Sequence, residues 1–506
     1  MERTKLVSHI LVIGAGIGGM TAAARLAKMG HTVEIFEGSH FVGGKCRTEW
    51  IGDYAFDTGP TLLTLPAVYR DFFDSTGAPL ETVLTLEPVE PSFDYRFANG
   101  DEVQFGNLSR LKTLEAIERS FGTSSAQEWS ALMLRSQAMW DASRKPFVES
   151  ELQSIFSLLK EASLLKDLRT IAPWQSLRSL VKKSTKDERL QFIVDRYATY
   201  SGSDPRKAPA VLLSIAYVEE AYGAWHIQGG VGQLSLSIRD RALELGVKIH
   251  LNSSVSSIIQ DGIKATGIEL IDGTKIQGDL IVANADASVV YSTLITQDLP
   301  QLRKPRKALA QADPSLSGFS LFLGLRDDPS TPSLGHHTIL FPKDYDAEFN
   351  AIFTQRRPVG DPAIYICAPR DSQMRHGNDG EGWSILVNAP VHSKDSTSGF
   401  NWNDAEFAQS YANKILDSIE SRGIPIRHRL KSMHVRTPAD VEREVRAPGG
   451  SIYGTSSNGA RSAFLRAKNR SPLKGLFCVG GSAHPGGGLP LVGISADIVS
   501  RAIGKA

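Results

Sequence analysis

The sequence predicts an α/β protein with a mixed, α+β second part and a helical cap, and three observations carry that prediction. A strand, a glycine-rich turn, a helix and a second strand open the chain. Another strand, glycine-rich turn and helix close it. Between them, strand signals alternate with helices and are interrupted by a long stretch of helical periodicity.

Ile10-Leu11-Val12-Ile13 has the length and β-branched content of a buried parallel strand. Gly14, Gly16 and Gly19 follow in G-x-G-x-x-G spacing. Met20 to Met29 is rich in Ala and Leu, which predicts a helix, and Gly30 stops it. His31 to Phe36 reads as the next strand and ends at Glu37, 18 residues beyond Gly19. In this context Gly14 permits the tight turn, Gly16 lets a pyrophosphate approach the backbone, and Gly19 lets helix pack on strand. The helix N-terminus offers N–H groups and a positive dipole end to phosphate. Glu37 can accept from ribose hydroxyls, and its charge would repel a 2′-phosphate. These residues predict a dinucleotide-binding unit.

Gly43-Gly44-Lys45-Cys46-Arg47-Thr48 lies just beyond, followed by Phe56-Asp57-Thr58-Gly59-Pro60-Thr61. A glycine pair directly after the ribose acid resembles the flavin-binding extension of amine-oxidase and phytoene-desaturase flavoproteins. The resemblance makes the dinucleotide FAD; the alternative is an ordinary turn with a solvated Lys and Arg.

Ala67–Thr76 predicts a helix and Val83–Leu86 a strand. Ser92–Phe97 and Glu102–Phe105, joined through Asn99-Gly100, predict a hairpin beside the nucleotide-binding sheet. From Leu108 to Tyr222 helical periods dominate. There Leu152, Ile155, Phe156, Leu159, Leu164, Leu165 and Leu168 form an apolar stripe near Lys160, Lys166 and Arg169. It reads either as a cap packed on the core or as an interfacial surface admitting a lipid-soluble substrate.

Trp225 to Leu234 marks a return to the first unit. Leu236–Leu245 predicts a helix, Gly246–Leu251 and Val255–Ile259 strands, and Gly267–Leu270 with Thr274–Ile276 a tight hairpin. Asp279 to Ala283 predicts a buried strand ending in Asn284 and Asp286, which stand where open α/β sheets place ligands or cap a helix. Phe319–Leu325, Ala363–Cys367 and Ser384–Asn388 predict further strands, and Phe407–Ser421 a helix. The neighbours His336 and His337 predict no metal site, because adjacent strand residues face opposite sides. Gly475 to Pro490 holds the closing glycine-rich turn, and its helix N-terminus would face a bound flavin ring. The expected segments are a nucleotide-binding part over residues 1–107, a helical cap over 108–222, a second nucleotide-binding part over 223–290, a mixed-sheet substrate part over 291–470 and a closing part over 471–506.

The balance of 56 basic against 55 acidic residues, net +1, excludes nucleic-acid binding by bulk charge. Three cysteines, Cys46, Cys367 and Cys478, lack metal-ligand spacing and predict a reducing compartment. No apolar window reaches the length of a transmembrane helix, and no signal peptide precedes the first strand.

The motifs GAGIGGMTAAARLAKMGHTVEIFE, GGKCRT, FDTGPTLLT, WHIQGG, HHTILF, YICAP and GGSAHPGGGLP together resemble the bacterial and fungal phytoene-desaturase type of FAD-dependent carotenoid desaturases over nearly the full length. HPGGGLP looks closer to late-pathway relatives acting on hydroxylated or methoxylated acyclic carotenoids. The resemblance implies FAD contacts at Gly14, Gly16, Gly19, Glu37, Gly43, Gly44, Lys45, Gly59, Pro60, Thr61, Val255, Gly480, Gly481 and Val492. It implies desaturation of an acyclic carotenoid such as phytoene, neurosporene or a hydroxylated derivative. Hydride would pass to flavin N5, and a proton would leave the adjacent carbon. With no second G-x-G-x-x-G unit, reoxidation by quinone or oxygen is expected rather than coupling to NAD(P)H. The resemblance also implies a cytoplasmic protein peripheral at the inner face of a membrane. No residue stands out as proton acceptor; Glu149, Glu151, His226 and His484 are the candidates. The alternatives are another flavin enzyme (an amine oxidase, a carotenoid oxidase or ketolase, or a polyene saturase) and a binding protein without turnover.

Overall fold

The computed structural model describes residues 7–152, 164–331, 334–377, 379–459 and 466–506. Two sheets organise it. The first has five parallel strands in the order Leu476–Cys478, Leu280–Ala283, His9–Ile13, Thr32–Phe36 and Lys248–His250. Ile10, Leu11 and Val12 are fully buried, as a central parallel strand covered on both faces requires. Helices Ile17–Lys28, Gly232–Glu244 and Leu489–Ile503 pack together on this sheet, so the two ends of the chain meet there.

The opening helix starts at Ile17, three residues before the predicted Met20. Gly18 and Gly19 lie inside its first turn because the packing leaves no space for a side chain. A Cβ on Gly19 would stand 2.3 Å from the Gly14 carbonyl oxygen, and one on Gly18 would stand 3.1 Å from Gly480 Cα.

The second sheet has seven strands: Leu430–Arg436, Ser317–Leu325, Glu381–Ala389, Ile364–Cys367, His337–Leu340, Phe93–Arg96 and Glu102–Phe105, in that order. All neighbours are antiparallel except Phe93–Arg96, which runs parallel to His337–Leu340. The hairpin at residues 93–105 therefore forms an edge of this sheet and does not lie beside the nucleotide-binding sheet as predicted. Phe93, Tyr95, Val103 and Phe105 are buried with Trp129 and Met133 of the helical region, and that shared core draws the hairpin there.

The predicted strand Val83–Leu86 is also shifted. A 3₁₀ turn covers Leu80–Thr82, and the strand is Leu86–Pro88, where Trp225–Ile227 supplies a partner. Val255–Asp261, Lys264–Leu270 and Lys275–Gln277 form a three-stranded antiparallel sheet around the predicted hairpin. A ribbon of Thr48–Ile51 with Tyr54–Asp57 had no clear sequence signal.

Among the described residues between Arg110 and Tyr222 helices dominate, including Arg110–Phe121, Thr123–Ser143, Leu177–Ser184 and Glu188–Thr199. Of the predicted apolar stripe, Leu152 is buried, while Ile155, Phe156, Leu159 and Lys160 lie outside the described residues. Among the described residues no helix is long and apolar enough to cross a membrane.

Candidate functional site

A cavity of ≈ 590 Å³ joins the two sheets. At one end it is walled by the glycine turns of the parallel sheet. At the other it is floored by the seven-stranded sheet and closed by helices Glu188–Thr199 and Ser214–Tyr222. Of the fourteen predicted cofactor residues, Gly19 is the one that does not line the cavity. Its place is between helix and strand, as the Gly14 carbonyl shows. The other thirteen, from three distant stretches of sequence, converge on one wall.

The glycine turns meet at Asn284, at the end of strand Leu280–Ala283. A Cβ on Gly16 would lie 2.6 Å from Asn284 Nδ2; on Gly18 and Gly480 it would lie 2.8 and 2.5 Å from Asn284 Oδ1. Asp286 does cap a helix start: its Oδ1 accepts from the Ser288 N–H at 2.9 Å. Glu37 is held in place by the same turn. Its Oε2 accepts from the Ala15 N–H at 2.7 Å, and its Oε1 accepts from the Ser39 N–H and hydroxyl, each at 2.8 Å.

The residues present fit an extended anionic dinucleotide. The helices Ile17–Lys28 and Leu489–Ile503 begin at Gly16 and Gly488, neither has a side-chain cap, and both glycines line the cavity. Their first-turn N–H groups are thus available to phosphate or to a flavin carbonyl. Gly43 has φ +101° and Gly44 has φ +58°, and a Cβ on Gly59 would overlap the Lys45 carbonyl at 1.7 Å. A side chain at any of these positions would close the groove or break the turn.

Lys45 Nζ donates to the carbonyls of Ser451 and Ile452, at 2.7 and 2.8 Å. Burial pushes its ammonium down to about 8, against the pull of Asp286. Asp57 anchors the neighbouring turn: its Oδ1 accepts from the Thr48 hydroxyl at 2.5 Å and from the Val231 N–H at 2.8 Å. Burial pushes that carboxyl up to about 6, against those two bonds and the charge of His226.

None of the four candidate proton acceptors lines the cavity. Glu149 pairs with Arg144 at 2.5 Å and Glu151 with Arg470 at 3.2 Å. His226 Nε2 meets Asp371 Oδ2 at 3.0 Å, and His484 Nε2 meets the Ser150 carbonyl at 2.9 Å. The titratable groups at the sheet end are ones that the sequence did not single out: Arg196, Tyr200, Glu219, Tyr345 and Tyr365. Tyr365 lies in the YICAP segment; nothing in the local pattern around Arg196 or Glu219 separates them from ordinary helix residues.

The histidine pair departs from its predicted geometry. The strand starts at His337, His336 precedes it, and the two rings come together with His336 Nδ1 3.1 Å from His337 Nε2. Cys367 Sγ joins them, so that three donor atoms lie within 4.8 Å of one another. Burial holds His337 down at about 3 and His336 well below the usual histidine range, so both rings are neutral at physiological pH.

Residues 17–360 match the family described as flavin-containing amine oxidoreductase. The chain is 30% identical to a hydroxyneurosporene desaturase of Rubrivivax gelatinosus, over 98% of this chain and 93% of that one. It is 28% identical to a 4,4'-diapolycopene oxygenase of Methylomonas sp., over 97% of each. Cyclohexylamine oxidase from Brevibacterium oxydans shares the fold, with a TM-score of 0.62 and 14% identity over 98% of this chain and 99% of that one. Motifs, two-sheet architecture and matches agree: the chain belongs to the flavin-containing amine oxidoreductase family, on the branch that holds the bacterial carotenoid desaturases and oxygenases.

Proposed function

We propose that this chain is an FAD-dependent desaturase of an acyclic carotenoid. The observation that carries the reading is the single cavity in which a glycine cradle passes directly into an apolar chamber. In that chamber Leu316, Phe322, Ile339, Ile385 and Leu386 present hydrocarbon side chains, as burial of a long polyene requires. Bound FAD supplies the two-electron acceptor for removing hydrogen from a C–C unit beside the polyene.

The chain's own residues do the rest. Gly14, Gly16, Gly43, Gly44, Gly480 and Gly481 let backbone approach the pyrophosphate and ribityl chain. Glu37 receives the ribose, and Lys45 with Gly59, Pro60 and Thr61 borders the ring end. Val255 and Val492 line the same groove and would border the bound cofactor. The two sheets exclude water and hold the substrate in one orientation, so that reaction proceeds from a fixed geometry. Segments 1–107 apart from the hairpin at 93–105, 223–290 and 471–506 act as the cofactor-binding part, 291–470 together with that hairpin as the substrate platform and 108–222 as the cap.

We place the protein in the cytoplasm, peripheral at the inner face of a membrane. Leu111, Leu134 and Trp174 of the helical stretch are exposed, which suits contact with lipid from which a carotenoid could enter. Quinone or oxygen would take the electrons onward. The test is anaerobic mixing of the flavin-loaded protein with neurosporene or a hydroxylated derivative. Bleaching of the flavin band by the polyene is the expected result, and bleaching by primary amines alone would refute the reading.

A further inference from the structure

Arg196 lies on helix Glu188–Thr199, is 9% exposed, and lines the chamber end of the cavity. Aromatic rings cover its guanidinium: the carbon centre is 4.9 Å from the ring centroid of Tyr200, 5.3 Å from Tyr365 and 5.7 Å from Phe93. These rings crowd the guanidinium and offer it π-electron density but no negative charge. A guanidinium carries five N–H donors. Among the described residues one bond is made, to the Tyr200 hydroxyl, and no carboxylate stands within ion-pairing distance.

Arg178 and Arg429, also buried, are paired with carboxylates, and the buried Arg466 spends its N–H groups on the carbonyls of Tyr453, Gly481 and Thr455. Arg178 meets Asp195 at 2.5 Å and Asp346 at 2.7 Å, and Arg429 meets Glu381 at 2.7 Å. Glu219 shares the chamber with Arg196, but its Oε1 is taken by the Tyr197 hydroxyl at 2.8 Å, and it reaches Arg196 only through the Tyr200 hydroxyl, which bonds to both. Burial also pushes that carboxyl up to about 7, against Tyr197 and Arg196, so it neutralises the arginine incompletely. A buried cation without its partner is unfavourable unless something else accepts its hydrogen bonds. A pure hydrocarbon in the chamber would offer nothing.

We propose that Arg196, with the Tyr200 hydroxyl, receives an oxygen atom at the end of the polyene chain, as a hydroxyl, aldehyde or carboxylate, and so sets the substrate's end group and the direction in which it lies. The proposal rests on the carotenoid reading above. An oxygen in the guanidinium plane would accept from the remaining N–H groups, and a charged or strongly polar acceptor would do so best.

The test compares kcat/KM for acyclic polyenes of one length that end in methyl, hydroxyl, aldehyde or carboxylate. Wild type, Arg196→Leu, Arg196→Lys and Tyr200→Phe are measured, with flavin absorbance per protein as the check on folding. The expected result is a wild-type preference of about 10- to 100-fold for an oxygenated end. Arg196→Leu should collapse that ratio and Arg196→Lys should keep part of it. If Arg196→Leu does not bind flavin, the smaller change Tyr200→Phe decides, with a lowered ratio expected. Turnover of all polyenes with no preference, or a preference that these variants leave intact, overturns the subsite alone. No turnover of any polyene overturns the desaturase reading and the subsite with it.

Discussion

Thr61 Oγ1 and Tyr365 Oη meet at 2.5 Å, joining the glycine turn that borders the cofactor groove to a central strand of the seven-stranded sheet. Both residues line the cavity. With Arg436 donating to the Thr58 carbonyl, this hydroxyl pair ties the cofactor-side turn to the seven-stranded sheet. In a double-mutant cycle of Thr61→Val and Tyr365→Phe, the two changes should couple by about 1 kcal/mol in urea unfolding. Additive effects would show that the pair does not tie the turn to the sheet.

Gly19 is predicted to act through packing. A methyl group there would meet the Gly14 carbonyl at 2.3 Å and Asn284 Cβ at 3.0 Å. Gly19→Ala should destabilise the protein by about 1–3 kcal/mol through overpacking and lower the flavin retained on purification. Thermal unfolding and the ratio of flavin to protein absorbance check this together. An unchanged melting temperature with normal flavin content would contradict the packing role.

Glu348 gives a pH dependence with a definite sign. It is fully buried; its Oε1 accepts from Asn388 Nδ2 at 2.8 Å and its Oε2 from the Ala363 N–H at 2.7 Å. Burial nonetheless pushes its carboxyl up to about 7, against those two bonds. A folded-state value above the ordinary 4.5 means that the folded protein holds this proton more tightly. The resulting stability is fully present below the unfolded value and is lost as pH rises through about 7. Glu348→Gln has no such proton. The stability of wild type relative to this variant should therefore fall by up to about 3 kcal/mol across that window. Denaturant unfolding at several pH values measures it, and a flat difference would contradict the assignment.

The parts of the site legible in the sequence are those where backbone conformation carries the function. Gly14, Gly43 and Gly480 have φ of +94°, +101° and +102°, a conformation that leaves its trace as glycine at fixed spacing. The central parallel strands His9–Ile13 and Leu280–Ala283 were legible too, because burial on both faces demands apolar runs. The chamber was not. Arg196 and Glu219 sit on amphipathic helices where a charged residue is unremarkable in one dimension, and only the fold turns them inward. The hairpin at residues 93–105 was recognised by its Asn-Gly turn, yet its sheet was not, since pairing with His337–Leu340 depends on residues more than two hundred positions away. His336 and His337 were misplaced for a local reason: the strand begins between them, and alternation does not extend across its end.

Cradle and chamber would hold flavin and polyene side by side so that the polyene loses hydrogen to the flavin. The most direct measurement is of the product formed when the flavin-loaded protein is incubated with neurosporene or a hydroxylated derivative and a quinone. The expected product is lighter by two hydrogens and absorbs at longer wavelength than the substrate. An unchanged polyene, with peroxide formed only when an amine is supplied, would contradict the desaturase reading.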